Sequence, residues 1–164
     1  MELRPMAGRV WSRKKQPQRW RATYERRQGT EQFLAFYDVH DDCLTGIIHK
    51  RKTSRDLLAA WRRLRACYPK ETRIYLILDN LSSHRHHLLK DFARENNMRL
   101  VWTPTYASWL NAIEAHFGAP KSFCLNNSDD RDHITRRRRS YRYLTWRNKK
   151  HAHPQAPLRL FRRY

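Results

Sequence analysis

Asp79, in Tyr-Leu-Ile-Leu-Asp-Asn (75–80), and Glu114, in Ser-Trp-Leu-Asn-Ala-Ile-Glu (108–114), are the residues of this 164-residue chain whose types and spacing best suit chemistry. Thirty-four residues lie between them. Asp79 sits at the exit of an apolar run that reads as a buried strand, and Glu114 sits on a stretch that reads as a helix. Acids placed in this way can gather oxygen ligands for Mg²⁺, a hard cation that keeps several of its waters. In two-metal phosphoryl transfer, two such ions about 3.5–4 Å apart clamp the attacking and leaving oxygens of an in-line displacement. That chemistry takes one more carboxylate from a separate element, and the pattern around Asp79 and Glu114 does not supply it. Taken singly, each acid has a plainer reading: a turn-former or cap for Asp79, a solvated residue bordering the core for Glu114.

Other polar clusters are weaker candidates. His84, His86 and His87 follow Asp79 closely. At i, i+2 and i+3 on one helix they cannot all face one ion, and neither a Cys nor an acid completes a tetrahedral zinc set. His84, near Asp79, suits holding a phosphate or orienting water, and equally suits a helix start with no catalytic role. Asp38, Asp41 and Asp42 read as hairpin-turn residues.

The elements that must position the acids can be read from period and punctuation. Residues 32–38 and 43–49 are two short apolar runs around Val39-His40-Asp41-Asp42, which predicts a hairpin. Thr53 or Ser54 caps a helix with Asp56 in its first turn, and Leu57, Leu58, Trp61 and Leu64 share one face. Residues 73–78 form a nearly continuous apolar run, expected of a strand covered on both sides. Ser82 or Ser83 is expected to cap a helix that Asn96-Asn97 stops. Met98–Trp102 is the next strand, so strand, helix and strand make a βαβ unit with parallel strands. Trp109, Ile113 and Phe117 at i, i+4 and i+8 predict a helix carrying Glu114. Asp129 or Asp130 is expected to cap a last helix running to about Arg147. The order is that of an α/β protein with a mixed sheet.

Charge divides the chain more sharply than hydropathy does. The whole carries 35 Lys and Arg against 15 Asp and Glu, a formal +20. Residues 1–30 hold nine cations and two acids (+7), residues 31–114 thirteen and ten (+3), and residues 115–164 thirteen and three (+10). A nearly balanced centre between two basic ends suits a folded core whose arms meet a polyanion, nucleic acid first among them. Arg13, Lys14 and Lys15 in the lead-in, and Arg136, Arg137, Arg138 and Arg139 in the last helix, are the candidate phosphate contacts. Four adjacent cations wrap around a helix and repel one another; a basic tail without a specific partner is the alternative. No apolar run approaches the ~20 residues of a membrane span, and no secretory h-region follows Met1. Three scattered cysteines suggest a reducing compartment.

Leu-Asp-Asn-Leu-Ser-Ser-His (78–84), Thr-Pro-Thr-Tyr-Ala-Ser-Trp-Leu-Asn-Ala-Ile-Glu (103–114) and Tyr-Leu-Thr-Trp-Arg-Asn (143–148) together resemble the bacterial insertion-sequence transposases of the mariner-like DDE group. Pro-Met-Ala-Gly-Arg-Val-Trp (5–11) and Arg-Ala-Thr-Tyr (21–24) look like the same family's lead-in to its hairpin. The resemblance covers about residues 4–148. It implies an RNase H-like catalytic domain, a mixed sheet flanked by helices, that cuts and joins DNA with Mg²⁺ or Mn²⁺. Carried over, Asp79 is the family's second catalytic Asp and Glu114 its catalytic Glu, both metal ligands. Asn80, His84 and Asn111 are supporting neighbours in the motifs.

Three departures from that pattern are expected. The family's first strand, with its first catalytic Asp, precedes the stretch matched by Leu3–Trp11 and is absent, as is the helix-turn-helix region further upstream. Gly118 and Pro120 interrupt the helix after Glu114, where Pro opposes the carbonyl of His116 at a cost of about 3 kcal/mol. The expected organisation is a basic lead-in (1–30), an incomplete core (31–148) and a basic tail (149–164). The expected setting is the bacterial cytoplasm, near the nucleoid, with DNA as partner and with self-association or association with an intact transposase. The activity expected is metal-dependent strand cleavage and transfer. The alternative is a catalytically inactive DNA-binding remnant that interferes with the intact enzyme.

Overall fold

The structure is a computed structural model that describes residue 1 and residues 29–105, 107–126 and 128–155. The sequence also suggests one short strand around Trp20–Tyr24 in the basic lead-in, a stretch that lies outside the described residues.

Strands β1 (Gln32–Asp38) and β2 (Cys43–His49) form the expected hairpin, antiparallel and in register from Gln32 opposite His49 to Asp38 opposite Cys43. The turn is closed by Asp38, whose Oδ1 accepts the N–H groups of His40 (2.9 Å) and Asp41 (3.2 Å), while Asp42 takes the left-handed backbone (φ 45°). β1 alternates, with Leu34 and Phe36 turned into the core, whereas β2 is buried from Cys43 to Ile48. Gly46 lets the two strands close: a Cβ there would stand 2.5 Å from the Leu34 carbonyl oxygen and 2.6 Å from the Phe33 ring.

Helix α1 (Ser54–Ala66) begins at Thr53, which exchanges hydrogen bonds with Asp56 in a capping box. Its apolar face (Leu57, Ala60, Trp61 and Leu64) is buried. β3 (Ile74–Leu78), α2 (His87–Glu95) and β4 (Met98–Trp102) make the expected βαβ unit, with β3 and β4 parallel from Ile74 opposite Met98 to Leu78 opposite Trp102. Asn96 ends α2, and Asn97 (φ 54°) turns the chain into β4. One core joins these parts, with Trp61, Leu89 and Ala93 from the helices meeting Leu34, Phe36, Leu78 and Met98 from the strands.

Four expectations give way. α2 is not capped by Ser82 or Ser83: those residues enter a 3₁₀ turn (Ser82–Arg85), and the cap is His86, whose Nδ1 accepts the Leu88 N–H at 3.3 Å. The helix expected around Glu114 is a pair of 3₁₀ turns (Ser108–Leu110 and Ala112–His116), closed by three-residue hydrogen bonds such as Glu114 N–H to Asn111 C=O (3.0 Å). A single turn α3 (Gly118–Pro120) and a wide turn (Lys121–Leu125) follow, so the chain passes Pro120 without a regular ladder to break. Trp109 points outward, 74% exposed, so its helical spacing with Ile113 and Phe117 marks no buried stripe. The last helix, α4 (His133–His151), is capped by Asp132, not Asp129 or Asp130, through a 2.7 Å bond from the Thr135 N–H, and extends past Arg147.

Antiparallel and parallel pairings are both present, as a mixed α/β architecture demands, but among the described residues they form two separate two-stranded ladders. The outer edge of β2 is closed by α4, where the Leu44 N–H donates to Asn148 Oδ1 (3.0 Å) and the Ile48 N–H to the Tyr141 hydroxyl (3.2 Å). Leu44 and Ile48 therefore turn their backbone groups away from β1. Their partners Tyr37 and Phe33 must, by the alternation of an antiparallel ladder, turn theirs toward the opposite edge of β1. Glu31 shares that orientation, and its N–H and C=O both bond to Met1.

Candidate active site

Asp79 follows the last residue of β3 directly, where ligands of open α/β sheets collect. Its Oδ1 accepts the Leu81 N–H at 3.3 Å and lies 2.8 Å from His84 Nδ1. The ring of His84 is mostly buried, and although Nδ1 is close to the carboxylate it is outside hydrogen-bond geometry, leaving a buried polar atom without a hydrogen bond. Asn80 ties the ends of β3 and β4 together: its Nδ2 donates to the Thr103 carbonyl at 2.7 Å, and its Oδ1 accepts from Arg85, which also lies 5.1 Å over the Trp102 ring.

Glu114 comes to the same region from the other side. Its 3₁₀ turn docks on the hairpin through His116, whose ring lies 3.9 Å from that of Tyr37. Arg147 holds the far side of Tyr37, 5.6 Å over its ring, and bonds to both the carbonyl and the carboxylate of Asp42. Burial works to raise the Asp42 carboxyl, but hydrogen bonds from Arg147 and Tyr37 outweigh it and hold the group below the usual carboxylate range. Burial first, then Arg147, hold His116 below the ordinary imidazole value. Tyr68 closes the other end, donating to Asp38 Oδ2 at 2.6 Å. Its phenol is pushed far above the ordinary value by burial and by that bond.

Between β1 and β3 lies a cavity of about 660 Å³. Phe33, Ala35 and Tyr37 line it on one side and Ile74–Leu78 on the other; Asp79, His84, Asn111 and Glu114 all reach it. The structure thus brings the four predicted residues around one cavity, and Asn80 braces its end from outside the lining. Asp79 is half-exposed and Glu114 exposed. The donor chemistry of two carboxylates and one amide suits a hard divalent cation. Among the described residues, however, no three His, Cys, Asp or Glu side chains gather closely enough to hold one. The histidine trio divides: His84 faces Asp79, His86 caps α2, and His87 lies beside His86 with ring centres 4.3 Å apart.

The basic candidates separate as well. Arg13, Lys14 and Lys15 lie outside the described residues. Arg136 is buried, its Nε donating to Asp130 at 2.7 Å, and Arg139 reaches the other oxygen of the same carboxylate at 2.8 Å. Arg137 pairs with the buried Glu31 at the start of β1. Arg138 alone of the four is exposed. Sequence reasoning did not find Glu31, because its partner lies 106 residues away. It named Tyr143 and Trp146 only within the stretch 143–148 and did not join them to Phe123, with which they cluster at the surface of α4.

No helix among the described residues is long and apolar enough to cross a membrane. Residues 1–135 match the family described as DDE superfamily endonuclease. A 64-residue stretch is 31% identical to the insertion element IS630 uncharacterized 39 kDa protein of Shigella sonnei, covering 38% of this chain and 19% of that protein. The fold is similar to a chain in the cryo-EM structure of the simian T-cell lymphotropic virus intasome in complex with PP2A regulatory subunit B56 gamma. That match has a TM-score of 0.52 at 12% identity, over 68% of this chain and 45% of the other. The chain therefore spans about a fifth of the first relative and under half of the second.

Proposed function

The chain belongs to the DDE superfamily endonuclease family, and from that membership we propose that it is catalytic-domain sequence of a bacterial insertion-sequence transposase of the mariner-like group. It acts on DNA in metal-dependent strand cleavage and strand transfer, built on an RNase H-like sheet. The observation that carries this reading is the shared cavity: Asp79 at the end of β3 and Glu114 on the turn facing it line one space. These two would be the oxygen ligands for Mg²⁺ or Mn²⁺, which when bound would supply Lewis-acid activation of the attacking hydroxyl and charge stabilisation at the leaving oxygen. Asn80 fixes the strand end beneath Asp79, the His84 ring lies against its carboxylate, and the Asn111 carbonyl accepts from the Glu114 N–H at the start of its turn.

Among the described residues no third carboxylate gathers with these two. The outer partners are DNA, through the basic ends, and further copies of the transposase.

A Mn²⁺ titration followed by electron paramagnetic resonance, paired with nicking of supercoiled plasmid in Mg²⁺ and Mn²⁺, tests the reading. Mn²⁺ affinity should fall at least tenfold in Asp79→Asn and in Glu114→Gln. Equal affinity in all three proteins refutes the paired-ligand assignment. The shortage of a third ligand among the described residues favours the second reading, an inactive remnant that binds DNA and interferes with intact transposase. Plasmid nicking abolished by Asp79→Asn excludes that second reading; intact DNA binding without nicking supports it.

A further inference from the structure

We propose that the exposed face of α4 around Trp146 is a docking surface for single-stranded DNA, distinct from the cavity that holds Asp79 and Glu114. The proposal rests on the reading of the chain as a DNA-processing protein and adds which form of DNA it grips, and where. Three aromatic rings meet at this surface. Phe123, from the wide turn, stacks on Tyr143 with ring centres 5.8 Å apart and planes 20° apart, and Trp146 stands 6.0 Å from each. Phe123 is 68% exposed and Trp146 49%. Large rings held open to water by one another, and not by a core, present π-faces of the kind on which unpaired bases stack.

The exposed charged side chains of the helix beside them are cationic. Arg138, Arg142 and Lys149 are exposed and fall at i, i+4 and i+11, within about 40° of one line along the helix. At 1.5 Å per residue that line is about 16 Å long. Lys150 is exposed too and continues the row of Tyr143 and Trp146 at i+7 and i+4. Asp129, Asp130 and Asp132, the acids nearest in sequence, all precede the first turn, and Asp130 is consumed by Arg136 and Arg139. From Arg138 to Lys150 the helix carries no acid. A cationic line beside stacked aromatic rings tracks a phosphate backbone and holds its bases. A protein partner would need acids to match that line, and a duplex hides its bases from the rings. Single-stranded DNA satisfies both features at once.

The experiment uses the full chain and fluorescence anisotropy of a labelled 20-nucleotide dT strand, a duplex of equal length and the matching RNA, each at two salt concentrations. Trp146→Ala and Phe123→Ala should weaken binding of the dT strand roughly 5- to 150-fold and leave the duplex within twofold. Trp146→Phe should restore most of the loss. Arg142→Ala should weaken strand and duplex alike and lower the salt slope by about one. Circular dichroism checks that each variant is folded; because both rings are largely exposed, the folded signal should persist. Unchanged dT binding in the ring variants overturns the proposal, as does an equal loss on the duplex. Tighter binding to RNA than to dT overturns the choice of DNA. A change of oligomeric state in Trp146→Ala with dT binding intact assigns the face to a second copy of the chain instead. None of these readings involves metal or Asp79, so failure here leaves the cavity assignment standing, and the reverse holds.

Discussion

Removing the carboxylate of Asp130 should destabilise the fold more than any single change in the Arg136–Arg139 run that leaves Asp130 in place. The side chain of Asp130 is fully buried and that of Arg136 is 1% exposed, with 2.7 Å between Nε and Oδ2. Asp130→Ala removes the carboxylate that Arg136 Nε meets at 2.7 Å from a site shielded from water, where the Ser128 hydroxyl lies 3.3 Å from the same guanidinium. Breaking a buried pair in this way costs about 3–5 kcal/mol. Ordinary domains have about 5–15 kcal/mol in total, so roughly a fifth or more of the stability is at stake. For a chain of this size each kcal/mol moves the midpoint about 2–4 °C, giving a fall of roughly 6–20 °C. Thermal melts by circular dichroism, repeated as urea titrations, measure it. Two companions make the argument refutable. Arg138→Ala removes a cation from the same run but from the exposed face, and should stay within about 0.5 kcal/mol. Asp130→Ala combined with Arg136→Met removes both buried charges and should recover much of the loss. A single Asp130→Ala variant melting within about 2 °C of the parent, or a double variant as unstable as the two losses added, refutes the assignment of Arg136 to structure.

Two further perturbations follow from local geometry. Gly46→Ala should destabilise by about 1–3 kcal/mol in urea unfolding, because its new methyl meets the Leu34 backbone and the Phe33 ring inside 3 Å; a neutral result would mean the hairpin is looser than described. Thr53→Ala should cost about 1 kcal/mol at neutral pH by removing the α1 cap. The Thr53 hydrogen bond, followed by weaker opposition from burial, holds the Asp56 carboxyl below its ordinary 3.8. A depressed acid stabilises above its unfolded value, and that stability is lost as pH falls through the folded one. The gap between parent and Thr53→Ala should therefore narrow below pH 3.8, and a gap constant down to pH 2 would contradict the capping box.

What the sequence made legible was what local pattern determines. The hairpin, α1 and the βαβ unit follow from apolar runs, a Thr–Asp capping box and an Asn pair, each decided within a few residues. The region from Thr103 to Leu125 was misread because three apolar residues at helical spacing need a core to face. Trp109 has none, and the chain settles for tight and wide turns on either side of Pro120. The start of α2 was missed because a histidine ring serves as its cap, an acceptor less common there than Ser or Asp. At the candidate site, the nearness of Asp79 and His84 was readable from their separation along the chain. That Glu114 faces the same cavity depends on His116 meeting Tyr37, a contact across most of the fold that no local pattern announces. The arginine run was the least legible element. Repulsion between neighbours is a local fact, but Glu31 and Asp130, which absorb three of the four charges, are set by tertiary position.

The bond pair between Leu44 and Asn148 has a consequence in time. Asn148 accepts from the Leu44 N–H at 3.0 Å and donates to its carbonyl at 2.7 Å, so one side-chain amide stands in for a neighbouring strand on the outer edge of β2. The two residues are 104 apart. At about 5–20 residues per second of synthesis, Leu44 waits roughly 5–20 s on the ribosome before its partner exists. Through that interval the hairpin has an unclosed edge of apolar sequence, the kind that pairs with other nascent chains. The rate at which α4 is made and docks thus sets how long each new molecule is exposed to aggregation.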